Sequence, residues 1–96
     1  MTIEYIRYII PKEKHQAFVD DYKKAFEPLK QSAYYKGHEL SQCEEEPNRF
    51  TLRIEWTSTE DHLKKFRQSE EFRAFLPHVR PYIDLIEEMQ HYKVIA

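Results

Sequence analysis

The stretch Arg49–Tyr82, RFTLRIEWTSTEDHLKKFRQSEEFRAFLPHVRPY, changes abruptly from a strand pattern to a helix pattern. Its first part alternates apolar and polar residues, and one face carries Phe50, Leu52, Ile54 and Trp56. Ser58, a residue type that caps helices, then precedes apolar residues at helical spacing. The stretch therefore predicts a strand with one buried face, followed directly by a helix.

The helical part of this stretch divides into two predicted segments. The first runs from Ser58 to about Arg67, with Leu63 and Phe66 facing inward. Ser69 is a second candidate cap, and the segment after it is bent by a proline and stopped by another. Its predicted inward residues are Phe72, Phe75, Leu76 and Val79.

The rest of the chain adds three predicted strands and one long helix. The strands are Ile3–Ile10, about His38–Glu45 and about Ile86–Ile95, and the helix is about Lys12–Gln31. Pro47 and Asn48 occupy the centre of a predicted turn between the second and third strands. The order β-α-β-β-α-β predicts one domain over residues 1–96, an α+β ferredoxin-like antiparallel sheet with two helices on one face.

The first predicted strand is apolar on both faces, although helices cover only one face of such a sheet. A second copy of the sheet would hide the other face, which predicts a homodimeric α+β barrel. The formal charge of -2, with signs interspersed, gives no basic field for nucleic acid. No run approaches 18 apolar residues, and the lone Cys43 suits a reducing compartment, so a cytoplasmic protein without a membrane partner is expected.

Three segments carry a resemblance to a known family. They are Ile54-Glu55-Trp56, Ser69-Glu70-Glu71-Phe72 and Glu87-Glu88-Met89-Gln90-His91-Tyr92. In this order and spacing, the chain resembles the antibiotic biosynthesis monooxygenase family of dimeric α+β barrels over nearly its whole length. The resemblance implies cofactor-free oxidation of polyketide or quinol substrates with dioxygen, and one branch of the family degrades haem.

The residues that family members use are only partly present. Quinol-oxidising members often carry histidines at the positions of Phe66 and Glu71. The haem-degrading branch uses a tryptophan near Phe66, a ligating histidine near Leu76 and an asparagine on the first strand, where Ile6, Arg7 and Tyr8 stand here. Haem degradation is therefore disfavoured, unless His78 replaces the missing ligand from a different face of the helix.

Candidate site residues follow from the resemblance and from the aromatic pattern. Trp56 and Phe66 are expected to wall an apolar pocket, and Trp56 fits a plain core role equally well. Phe72, Phe75 and Leu76 are further candidate substrate contacts, while His91 or His78 is the candidate base. An interface role for His91 remains open. His62, beside Asp61, is expected at the surface, and Arg53 and Glu55 are expected to pair with each other or across the dimer.

The five histidines show no metal-ligand spacing, so neither a metal nor a cofactor is expected. The expected function is a monooxygenase that oxidises a small aromatic or quinol-type substrate in a pocket between sheet and helices. Two alternatives remain. One is a non-catalytic dimer that binds a small apolar ligand or haem, and the other is a structural or sensory dimer without a cavity.

Overall fold

The computed structural model describes residues 1–96 and contains a four-stranded antiparallel sheet with helices packed on one face. The strands are β1 (Thr2–Ile9), β2 (Tyr35–Gln42), β3 (Arg49–Trp56) and β4 (Ile86–Tyr92). The helices are α1 (His15–Gln31) and α2 (Glu70–Val79). The strand order β2-β3-β1-β4 confirms the predicted ferredoxin-like α+β fold.

Short helical segments connect these elements. The segments of 3-10 helix are Lys12–Lys14, Phe66–Gln68 and Arg80–Leu85, and a π-helical segment spans Asp61–Lys65. No helix has both the length and the apolar content needed to span a bilayer.

Aromatic side chains make up much of the core between sheet and helices. The four predicted inward residues of β3 are all buried, as are Phe18, Tyr22, Phe26 and Leu29 of α1. The Phe18 ring contacts those of Phe50 and Tyr82, with centroids 5.0 and 5.1 Å apart. Aromatic contacts at these distances add to the stabilisation that burial provides.

The predicted caps and turn are confirmed. The backbone N–H of Asp61 donates to Ser58 Oγ at 2.9 Å, and that of Phe72 donates to Ser69 Oγ at 3.2 Å. Each cap provides a partner for a backbone donor that has none within its helix. The N–H of Arg49 donates to the Glu46 carbonyl at 2.9 Å and closes the predicted turn.

Two strand boundaries differ from the predictions. β2 lies three residues earlier than predicted because Tyr35 already pairs with Trp56, through an irregularity before Gly37. β4 ends at Tyr92 rather than Ile95 because its last backbone partner is Ile3, near the start of β1.

The prediction of a regular helix from Ser58 to Arg67 was wrong. Within the π-helical segment the N–H of Phe66 reaches back to the carbonyls of Asp61 and His62, so the turn is wider than in an α-helix. Phe66 faces inward as predicted, but Leu63 is 43 % exposed. His62 is buried in its place, which also corrects the prediction that His62 lies at the surface.

The face of the sheet opposite the helices combines apolar and charged residues. Ile3 is buried there, whereas Tyr5 and Ile9 are half-buried. Arg53 and Glu55 pair at 2.7 Å, as predicted. Other ion pairs on the surface join β1 and β3 to β4, so this face is more polar than the β1 sequence alone indicates.

Candidate active site

A cavity of about 180 Å³ lies between the sheet and α2. Twelve of the fifteen residues that line it are hydrophobic, and the other three are Glu4, His62 and Arg67. Ile83 and Met89 are 46 % and 44 % exposed, so the cavity opens to solvent near β4. A small apolar molecule can therefore enter from this edge and meet few polar groups.

Glu4 is the buried acid of the cavity wall. It lies on the helix-facing side of β1 and is only 2 % exposed. Its Oε1 accepts a hydrogen bond from Trp56 Nε1 at 3.0 Å, across the β1–β3 pair. Burial raises the pKa of Glu4 to about 7, against a smaller lowering effect of the Trp56 hydrogen bond. The group can therefore take up or release a proton near neutral pH.

His62 stands between Glu4 and His91. Its Nε2 lies 3.6 Å from Glu4 Oε1, and its Nδ1 is 2.7 Å from His91 Nε2. The ring stacks on Trp56, with centroids 4.4 Å apart and planes at 13°, which fixes its orientation. Burial, with help from the positive charge of Arg67, lowers the pKa of His62 to about 3. The imidazole is therefore neutral at physiological pH.

His91 belongs to β4, where it pairs with Glu4 across the sheet. It is partly exposed, unlike the other two members of the cluster. Partial burial and the charge of Arg67 lower the pKa of His91 as well. The cluster of Glu4, His62 and His91 thus runs from the buried cavity wall towards solvent.

Two tyrosines provide a further polar point in the cavity lining. The hydroxyls of Tyr8 and Tyr22 contact each other, and both rings are buried. Burial raises the pKa of Tyr8 to about 12, so its hydroxyl is protonated. One hydroxyl donates within the pair, which leaves the proton of the other available to an oxygen atom of a bound molecule.

Glu4, His62 and His91 are also ligand types that a divalent metal accepts. Their nearest ligand atoms lie within 4.8 Å of one another. Metal–ligand bonds of about 2.1 Å would place two ligands at most about 4.2 Å apart, so the cluster would have to contract around an ion. His62 also presents a different nitrogen to each neighbour, an arrangement that suits a hydrogen-bonded chain.

A sequence model of the family "antibiotic biosynthesis monooxygenase" matches residues 1–77. The chain belongs to the antibiotic biosynthesis monooxygenase family. A relative in Bacillus subtilis, the uncharacterized protein YczJ, is 28 % identical over 78 residues, which cover 81 % of this chain and 82 % of that protein.

Solved structures of this family have the same fold. A Bordetella bronchiseptica protein that bears the family name matches with a TM-score of 0.81 at 20 % identity, over 99 % of this chain and 97 % of that one. A mutant form of SnoaB from Streptomyces nogalater, described as a cofactor-independent oxygenase, matches with a TM-score of 0.72. It is 15 % identical, over 97 % of this chain and 92 % of that one.

Most of the residues predicted from the family resemblance lie at or near the cavity. Trp56, Phe72, Phe75 and Leu76 line it. Phe66 packs behind Trp56, with ring centroids 4.7 Å apart. His91 reaches the cavity wall through His62, whereas His78 is partly buried on α2 and is not a lining residue.

Sequence reasoning missed Glu4 and His62. Glu4 occupies an inward position of an alternating strand. A carboxyl is buried there only if it has a hydrogen-bond partner, and the sequence does not identify that partner. His62 precedes Phe66 by four residues, the spacing of neighbours on one helix face, and this signal was available. In the antibiotic biosynthesis monooxygenase fold of this chain, both residues lie beside Trp56.

Proposed function

We propose that the protein is a cofactor-independent monooxygenase that oxidises a small aromatic or quinol-type substrate with dioxygen. The observation that carries the proposal is the apolar cavity with one buried acid, Glu4, in its wall. A phenolic ring would be bound by the apolar lining while the carboxylate accepts its hydroxyl proton. The description of SnoaB as a cofactor-independent oxygenase supports the proposal from a protein of the same fold.

The volume of the cavity limits the size of the substrate. An apolar cavity of about 150 Å³ is known to admit benzene, whereas pockets for drug-sized ligands measure about 300–1,000 Å³. The cavity of about 180 Å³ therefore suits a single aromatic ring with small substituents. A polycyclic substrate would fit only by projecting through the opening near Ile83 and Met89.

The proposed reaction requires only a few groups from the protein. Glu4 takes the proton of a phenolic hydroxyl, and the resulting electron-rich phenolate passes electrons to dioxygen. Over the whole reaction the substrate loses two hydrogen atoms and gains one oxygen atom, and the second oxygen atom leaves as water. The substrate thus supplies all the electrons. Arg67 lies at the same cavity, where its charge favours the phenolate and reduced oxygen.

The test is oxygen uptake by the purified protein with a panel of single-ring hydroquinones, with an anthrone as the larger comparison. Isotopically labelled dioxygen would distinguish incorporation of oxygen into the product from simple oxidation with release of peroxide. We expect turnover by the wild-type chain and by Glu44→Gln, whose carboxyl lies in the exposed turn region. General acid–base catalysis contributes about 10²–10⁴-fold, so Glu4→Gln should lose at least about 100-fold. Wild-type uptake no greater than that of heat-treated protein would refute the proposal.

A second candidate function is binding of a small apolar ligand without turnover. It is favoured by Phe66 and Glu71, which stand where the family resemblance places working histidines. Tight binding of a single-ring phenol without oxygen uptake would support this alternative. Haem, with four pyrrole rings, is far larger than the cavity, so a haem titration should leave the haem spectrum unchanged.

We further propose that residues 1–96 form one domain that pairs as a homodimer through the helix-free face of the sheet. The half-buried Tyr5 and Ile9 lie on this face, and family membership supports a dimer. Light scattering at micromolar concentration should give twice the mass of 11.8 kDa. Arg53→Glu would place two acidic groups side by side on this face and should lower the measured mass. A monomeric wild-type mass would refute the dimer.

A further inference from the structure

We propose that Glu4, His62 and His91 form a proton relay that carries protons between the cavity and solvent at the β4 edge. The inference rests on the proposed function and adds a route for the proton that Glu4 accepts. The route is needed because Glu4 is only 2 % exposed, and a bound substrate would fill the cavity that otherwise connects it to solvent. Over one turnover the relay takes the substrate proton out as the phenolate forms and returns one proton as reduced oxygen becomes water, so no net proton is released.

The contacts of His62 make it the central member of the relay. One ring nitrogen faces the acid, and the other lies within hydrogen-bond distance of His91. Trp56 stacks on the ring and holds both nitrogens in these directions. The 3.6 Å separation from Glu4 is longer than a hydrogen bond, so transfer requires a small rotation of the carboxyl group.

Each step of the transfer moves one proton and leaves no charge on either ring. Protonated Glu4 gives its proton to His62 Nε2, while His62 Nδ1–H gives its proton to His91 Nε2. His91 Nδ1–H releases a proton to water. Glu4 ends as a carboxylate, both rings stay neutral and one proton has left the protein. Both rings then have the opposite tautomer, and the return of one proton along the same route, for the water that is formed, restores the first tautomer.

The electrostatic surroundings favour neutral rings within the relay. Arg67, on the segment that follows His62, is the charged group that acts on all three members. Asp61 points away to Thr57 and Lys65, and Trp56 contributes only its N–H to Glu4. Tyr8 and Tyr22, from β1 and α1, are the other titratable groups of the cavity. A positive charge on His62 is therefore disfavoured. Proton transfer by exchange of tautomers is favoured over transfer through a charged imidazolium.

The first test reads the tautomers directly and needs no substrate. Nitrogen NMR of the histidine rings in the full chain should show His62 and His91 changing together as Glu4 titrates. Glu4→Gln should abolish this shared change, whereas the signals of His78 should be the same in both proteins. Unchanged His62 and His91 signals across the titration of Glu4 would overturn the relay, even if the protein oxidises a substrate.

The second test uses chemical rescue of turnover. His91→Ala should lower oxygen uptake, and added imidazole should restore it, because a free base can accept the proton from His62. Wild-type uptake should not depend on imidazole, and His15→Ala, whose ring contacts the Ile10 carbonyl away from the cavity, provides the matched control. Full activity of His91→Ala without imidazole would overturn the relay. No uptake by any variant or by the wild type would refute the proposed function instead, and the NMR result would still decide the coupling.

Discussion

Replacement of Glu4 by glutamine changes the pH dependence of stability in a direction that the structure specifies. Glutamine has nearly the same shape, and its oxygen can still accept the hydrogen bond from Trp56 Nε1. The substitution removes the ionisation of a carboxyl that is only 2 % exposed. We therefore expect a change that depends on pH rather than a uniform loss of stability.

The magnitude follows from the raised pKa. Glu4 has a pKa of about 7 in the folded chain and an ordinary value of 4.5 when unfolded. Between these values the folded state binds more protons, so stability falls as pH rises from 4.5 to 7 and then levels off. At about 1.36 kcal/mol per pH unit, the full loss is about 3 kcal/mol. Glu4→Gln should match the wild type near pH 4.5 and exceed it by about 3 kcal/mol above about pH 8.

Urea unfolding, followed by circular dichroism at intervals from about pH 4.5 to about pH 8.5, measures this difference. Groups common to both proteins, including His62, contribute to both curves and largely cancel in the difference. Glu44→Gln is the control, because it removes an exposed carboxyl and should give a nearly constant difference. Parallel curves for Glu4→Gln and the wild type would contradict the assignment of a buried carboxyl that titrates near neutral pH.

Other substitutions test separate contacts. Trp56→Phe removes the donor to Glu4, so it should destabilise the chain by about 1–3 kcal/mol where Glu4 is ionised and raise the pKa of Glu4 further; pH-dependent unfolding measures both. Ile83→Trp should narrow the cavity opening and raise KM. Leu63→Trp, at a residue exposed to a similar extent outside the cavity, should leave KM unchanged. A normal KM for Ile83→Trp would show that the substrate does not enter near Ile83. Tyr82→Phe removes a 2.5 Å hydrogen bond to Asp21 and should lower the free energy of unfolding by about 1–2 kcal/mol; an unchanged urea midpoint would show that this contact contributes little.

The sheet could be predicted well because its signals are local. Alternation in β3 identified the buried face correctly, and Ser69 marked the start of α2. The end of β4 could not be predicted, because Val94 and Ile95 have strand-like character but lie beyond the last backbone partner on β1. Pairing between distant strands sets this boundary, and a window of sequence does not contain that information.

The candidate site could be predicted only in its apolar part. Trp56 could be predicted from the pattern within β3, and Phe72 and Phe75 from the pattern within α2. All three line the cavity. Glu4, His62 and His91 come from three different elements, and the register of β1 with β4 and the packing of His62 on Trp56 bring them together. Analysis of histidine spacing along the sequence therefore cannot find this cluster.

The π-helical segment gives the site a tolerance to a change in chain length. The N–H of Phe66 reaches the carbonyl of Asp61, so the segment holds one residue more than an α-helical turn. Loss of one residue between His62 and Phe66 would close it to an α-helical turn and leave the two residues three apart, which is still a same-face spacing. His62 and Phe66 would then both stay beside Trp56. Within this fold, the segment can therefore shorten by one residue without removing the histidine from the cavity wall.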